Sequence, residues 1–257
     1  MHFIDTHSHL YLPQFDDDRQ ATVARMIAEG VKKVYLPAID SKTHAAMLAL
    51  EAENPGVCVA MMGLHPCSVT TETVEAELQL IFDYWQTRDF CAVGEIGLDL
   101  YWDKTTLNVQ QFAFEQQIEW AKEKNRPIII HARESMHEIL PIVRKHKTER
   151  LHGIFHCYSG TLEQARACID LGFYLGIGGV LTYKKSGLAD IMREISLQHL
   201  VLETDAPYLP PVPHRGKRNE SSYIPLIAQY LAEVKNCSLA EIAEVTSENA
   251  RRCFGSF

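Results

Sequence analysis

Residues 127–156 contain Pro127-Ile128-Ile129-Ile130-His131, a stretch with Ile139, Leu140 and Val143 at helical spacing, and Gly153-Ile154-Phe155-His156. A short apolar run opened by a turn residue reads as a buried strand, and the spacing between the two runs reads as a helix. Strand, helix and strand in so short a span make a βαβ unit with parallel strands. Both strands end in histidine. An imidazole at the end of a buried strand is costly unless something compensates it.

The pattern repeats on both sides of this unit. Phe3-Ile4-Asp5-Thr6-His7-Ser8-His9 opens the chain, followed by strand-like runs at 34–36 and 57–62 and by Cys91-Ala92-Val93-Gly94-Glu95. Beyond it come 173–177 and Leu200-Val201-Leu202-Glu203-Thr204-Asp205. Helices are predicted over about 43–53, 74–85, 107–124, 161–169, 188–195 and 239–254, and Ile224, Ile227, Ala228 and Leu231 mark another. Eight strands alternating with helices predict an α/β fold, a (β/α)8 TIM barrel with a metal site at the C-terminal ends of the strands. No low-complexity linker interrupts the chain, so one domain is expected over 1–257.

Composition narrows the partners. The formal charge of −8 excludes a broad basic face of the kind that holds long nucleic acid through many phosphates. A nucleic-acid substrate would be gripped locally, at a strand end. The seven cysteines form no C-x-x-C pair, which predicts reduced thiols in a cytoplasmic protein. A strand begins at once, with no leader pattern, and no apolar run approaches the roughly 18 residues of a membrane span. Neither a membrane nor an obligate protein partner is expected.

The strand ends supply the chemistry. Residues two apart on a strand share a side, so His7 and His9 can grip one ion, with Asp5 expected on the same face. Glu95 is placed to bridge two cations, and His131 and His156 end consecutive strands. Asp205 can hold a metal and take a proton from the attacking water. Glu203 is a candidate to orient a histidine, and Asp99 reads as a loop or supporting residue. His65, in Gly63-Leu64-His65-Pro66, could steer substrate or protonate a leaving group. Arg133 could hold a phosphate bidentately. Lys185 and Arg218 represent two basic clusters, 184–185 and 214–219, expected at the same mouth. No Gly-x-Ser-x-Gly elbow or Walker loop occurs, and no C-x-x-C accompanies a His-x-Glu as in zinc deaminases.

Six ordered motifs carry a family resemblance: Asp-Thr-His-Ser-His-Leu (5–10), Gly-Leu-His-Pro (63–66), Val-Gly-Glu-Ile-Gly-Leu-Asp (93–99), Ile-Ile-His-Ala-Arg (129–133), His-Cys-Tyr-Ser-Gly (156–160) and Glu-Thr-Asp-Ala-Pro-Tyr (203–208). The chain resembles the TatD family of metal-dependent deoxyribonucleases, of the amidohydrolase superfamily. The resemblance implies a TIM barrel holding two or three divalent metals. His7, His9, Glu95 and Asp205 would hold one, and Glu95, His131 and His156 the other. It further implies 3′-to-5′ exonuclease action on single-stranded or damaged DNA with magnesium or manganese, while the His-rich ligands would also admit zinc, nickel or iron. Where the family has Gly-Leu-Asp-Tyr, this chain has Gly-Leu-Asp-Leu-Tyr, so either Leu100 or Tyr101 faces the substrate. The alternatives are ester or amide hydrolysis, such as D-aminoacyl-tRNA deacylation, and a non-catalytic binding module.

Overall fold

In the computed structural model, which describes residues 1–255 and 257, all eight expected strands are extended. They are β1 (Phe3–Asp5), β2 (Val31–Leu36), β3 (Cys58–Ala60), β4 (Val93–Asp99), β5 (Ile128–Arg133), β6 (Gly153–Phe155), β7 (Phe173–Ile177) and β8 (Leu200–Leu202). The helices are α1 (Arg19–Ala28), α2 (Ser41–Glu53), α3 (Val74–Thr87), α4 (Leu107–Lys124), α5 (Met136–His146), α6 (Leu162–Asp170), α7 (Leu188–Glu194), α8 (Ile224–Lys235) and α9 (Leu239–Phe254).

Every pairing is parallel, in the orders β1-β2-β3 and β4-β5-β6-β7-β8. Two seams join these arcs into a ring. Ser8 bridges Ala206 between the first and last strands, and Met62 bridges Val93 between the third and fourth. Thr6 N–H donates to Leu202 O, Asp205 N–H to His7 O, and Gly94 N–H to Met62 O. The result is an eight-stranded α/β barrel.

Strand alternation sorts the apolar residues into two cores. Ile128 and Ile130, Phe155, and Leu200 and Leu202 face the helices. Ile129, Ile154 and Val201 fill the barrel interior with Ile4, Tyr35 and Val59. The end of α9 plugs the floor, where Phe254 stacks on Tyr35 at 3.8 Å. The same parity sends His131, His156 and Glu203 into the interior above this layer, each two residues beyond an inward apolar residue.

Two strands overrun the lengths expected from their apolar runs. β4 continues past Glu95 to Asp99, and β5 past His131 to Arg133. Their polar residues continue the pairing, with Gly97 opposite His131 and Asp99 opposite Arg133. Gln110 of α4 clamps the extended end, accepting from Asp99 N–H at 2.8 Å and donating to Asp99 O at 3.1 Å. β1, by contrast, stops at Asp5. Alternation therefore does not continue from Asp5 to His7 and His9, and Asp5, expected on their face, turns toward the β8 side and accepts from Thr204 Oγ1 at 2.6 Å. Among the described residues, no helix is long and apolar enough to cross a membrane.

Candidate metal centre

Glu95 lies at the centre of the mouth, its two oxygens facing two sets of ligands. Oε2 lies 3.1 Å from His7 Nε2 and 3.6 Å from His9 Nε2. Asp205 Oδ1 completes this set, 3.7 Å from His7 Nε2 and 3.5 Å from His9 Nε2, and the two histidine nitrogens are 3.3 Å apart. On the other side, Oε1 lies 2.8 Å from His131 Nδ1 and 2.9 Å from His156 Nε2. Metal bonds of about 2.0–2.2 Å put neighbouring donors roughly 3–3.5 Å apart. The first set, at 3.1–3.7 Å, lies close to that spacing and fits a cation, and the second, at 2.8 and 2.9 Å, lies just inside it.

Three of the four ligand imidazoles have a polar group behind them, while among the described residues His7 Nδ1 is buried without a partner. Tyr11 donates its only hydroxyl proton to Pro37 O at 2.5 Å, so at 2.9 Å it must accept from His9 Nδ1–H. That places the lone pair on His9 Nε2, toward the site. Asp99 Oδ2 holds His131 Nε2 at 2.8 Å, leaving Nδ1 for the centre. Behind His156, Glu203 Oε1 lies 3.4 Å from Nδ1 and also accepts from Cys157 N–H. Glu203 is fully buried and packs so tightly on Gly176 that a Cβ there would lie 2.1 Å from its Oε2. His65 has the opposite polarity. Cys67 N–H donates to His65 Nδ1, so the proton sits on Nε2, 3.5 Å from Glu95 Oε1. It presents a hydrogen-bond donor to the mouth.

The electrostatics favour cations. Burial alone would raise the Glu95 carboxyl, but His156, His65, His7 and His131 around it hold it well below the usual range. Asp205 is likewise lowered, the cost of burial being outweighed by His9, His156 and His7. Burial and the neighbouring His156 push His7 down, toward the neutral form that ligates. Asp205 and Cys157 occupy the left-handed region, at φ 57° and 46°, as residues at functional sites often do.

The structure thus brings His7, His9, Glu95, His131, His156 and Asp205 into one cluster, with His65 beside it and Glu203 beneath. Arg133 lines the cavity above, together with Trp102, Tyr208 and Leu209. Two expected substrate contacts lie elsewhere. Arg218 is bound bidentately by Asp18, at 2.6 and 2.8 Å, over the Phe15 ring, and so ties down the loop after β8. Lys185 is exposed in the turn before α7, outside the cavity wall. Neither residue is brought to the cavity wall, and Arg218 shows that a basic residue after a barrel strand can be held by a structural acid. Sequence reading passed over Tyr11, since an aromatic in an apolar run looks like core. Its position two residues beyond His9 was the available signal.

A family model described as TatD related DNase matches residues 4–255. An uncharacterized metal-dependent hydrolase, YabD of Bacillus subtilis, is 38% identical over 251 residues, covering 97% of this chain and 98% of its own. Among solved structures, the TatD homolog YjjV of Escherichia coli superposes with a TM-score of 0.90 at 32% identity, over 99% of this chain and 98% of that one. The phosphotriesterase homology protein of Escherichia coli shares the fold, with a TM-score of 0.73 at 18% identity and 98% of each chain covered.

Proposed function

The chain belongs to the TatD-related family of metal-dependent hydrolases, and from that premise we propose that it is a deoxyribonuclease removing nucleotides from the 3′ end of a single strand. One observation carries the two-cation part of this reading: the oxygens of a single buried carboxylate, Glu95, address two separate ligand sets. Two divalent cations, magnesium or manganese in use, would lower the pKa of water to about 7 and offset charge on the phosphoryl oxygens.

The chain's own residues do the rest. His7, His9, Glu95 and Asp205 would hold one cation, and Glu95, His131 and His156 the other. Asp205 takes the proton of the water whose oxygen adds to phosphorus. As the bond to the leaving oxygen breaks, His65 donates a hydrogen bond to it from Nε2–H, and the proton taken up by Asp205 passes through solvent to that oxygen, so proton gain and loss balance. Arg133 holds a non-bridging oxygen. Asp99, Glu203 and Tyr11 fix the imidazoles.

An activity panel offering single-stranded DNA, RNA, D-aminoacyl-tRNA and simple phosphodiesters, each with magnesium, manganese or zinc, tests this reading. DNA should be the preferred substrate. Exhaustive chelation should abolish hydrolysis, and Asp205→Asn should do the same with the circular dichroism spectrum unchanged. Wild-type rates in that variant, or activity surviving chelation, contradict the mechanism. Preferred hydrolysis of the aminoacyl ester would transfer the site to deacylation.

A further inference from the structure

The turn after β4 sends two aromatic rings out of the fold beside the metal centre. Asp99 Oδ1 accepts from the backbone N–H groups of Tyr101 at 3.0 Å and Trp102 at 3.2 Å, while Oδ2 holds the ligand His131. Leu100 is buried at 8% exposure, whereas Tyr101 is 49% and Trp102 70% exposed. Of the two residues the altered motif left open, Tyr101 is the exposed one and lies under Arg133, beside the cavity wall that Trp102 lines. Exposed aromatics in contact contribute little to the core, and paired ones beside a cleft mark a binding surface.

Arg133 makes this surface specific. Its guanidinium lies 3.8 Å over the Tyr101 ring and 5.4 Å from the Trp102 ring, and the two rings meet edge to face at 4.9 Å. Among the described residues Arg133 makes no salt bridge, so its donors are available to an anion. Trp102, Arg133 and His131 share the wall of one cavity of about 680 Å³, room for a nucleotide-sized ligand. A free aromatic face, an unpaired guanidinium and a metal ligand in one wall are complementary to a base, its phosphate and the bond to be cut.

We propose that Trp102, Tyr101 and Arg133 form a base-stacking subsite for single-stranded nucleic acid, in which Trp102 covers one nucleobase and Arg133 takes the adjoining phosphate. Only an unpaired base has a face to offer, so the subsite selects single strands over duplex. Asp99 couples it to the centre, because the same carboxylate sets the turn and orients His131. The inference rests on the phosphodiesterase reading for the bond that is cut, and not for the stacking itself.

Binding of a fluorescein-labelled octathymidylate, followed by polarisation in the Asp205→Asn background, tests it. Trp102→Ala should weaken binding about tenfold, within the range of one base–aromatic stack, and Trp102→Phe should recover most of that. An abasic strand of equal charge should bind the parent protein and its Trp102→Ala derivative within about twofold of each other, since it has no base to stack. Equal losses on both strands, or no loss on the thymidylate, overturn the subsite. Phe112→Ala, an exposed aromatic on α4, is the folding control. Binding through Trp102 by a protein that hydrolyses no phosphodiester would retire the reaction and keep the subsite; hydrolysis indifferent to Trp102 would retire the subsite alone.

Discussion

Tyr11 sets the proton of His9, and through it the donor offered to a cation. Tyr11→Phe keeps the ring, removes the hydroxyl, and leaves His9 Nδ1 without its acceptor. Metal affinity on the His7–His9 side should fall about 10- to 100-fold, the usual cost of losing such a partner. Competition against a chromogenic chelator measures it, and unchanged affinity would show that the tautomer is set elsewhere. Gly176→Ala tests the opposite wall. The new Cβ would displace Glu203, so thermal denaturation should show a loss of about 1–3 kcal/mol, as overpacking does. Histidines and carboxylates at strand ends were legible in sequence because their residue type is itself out of place there. Tyr11 and Gly176 were not, because an aromatic and a glycine have innocuous readings, and only the coordinates show what they touch.

The elements around the mouth are tied together by charge. Asp18 binds both Arg25 and Arg218, and Arg25 also binds Glu220, fastening the loop after β8 to the start of α1. Arg218 and Arg25 hold the Asp18 carboxyl well below the usual carboxylate range. A depressed folded value means that the stabilisation is complete above about pH 4, where the unfolded carboxyl ionises, and is lost as the pH falls through the folded value. Asp18→Asn should therefore cost about 1 kcal/mol or less at about pH 6, since the pairs are partly solvated. In urea unfolding the gap from wild type should narrow toward about pH 3, below the unfolded carboxyl's titration; a gap that widens there would contradict the assignment. The basic cluster containing Arg218 looked like a phosphate site in sequence because its acidic partner lies two hundred residues away in the chain. The strand overruns to Asp99 and Arg133 were hidden for a related reason: polar residues there pair only because a barrel neighbour and Gln110 receive them.

At the scale of the whole molecule, the barrel and its site were readable together. Parallel strands put their C-terminal ends on one mouth, and alternation carries the inward Ile129, Ile154 and Val201 to the inward His131, His156 and Glu203 two positions on. How the ring closes was not readable, because the seams rest on single bridges at Ser8 and Met62 with no distinctive pattern. The central claim is that Glu95 joins two cations. Anomalous diffraction from crystals equilibrated with manganese tests it most directly. Two peaks roughly 3.5–4 Å apart, one on each side of the Glu95 carboxylate, are predicted. A single peak, or peaks away from Glu95, would contradict it.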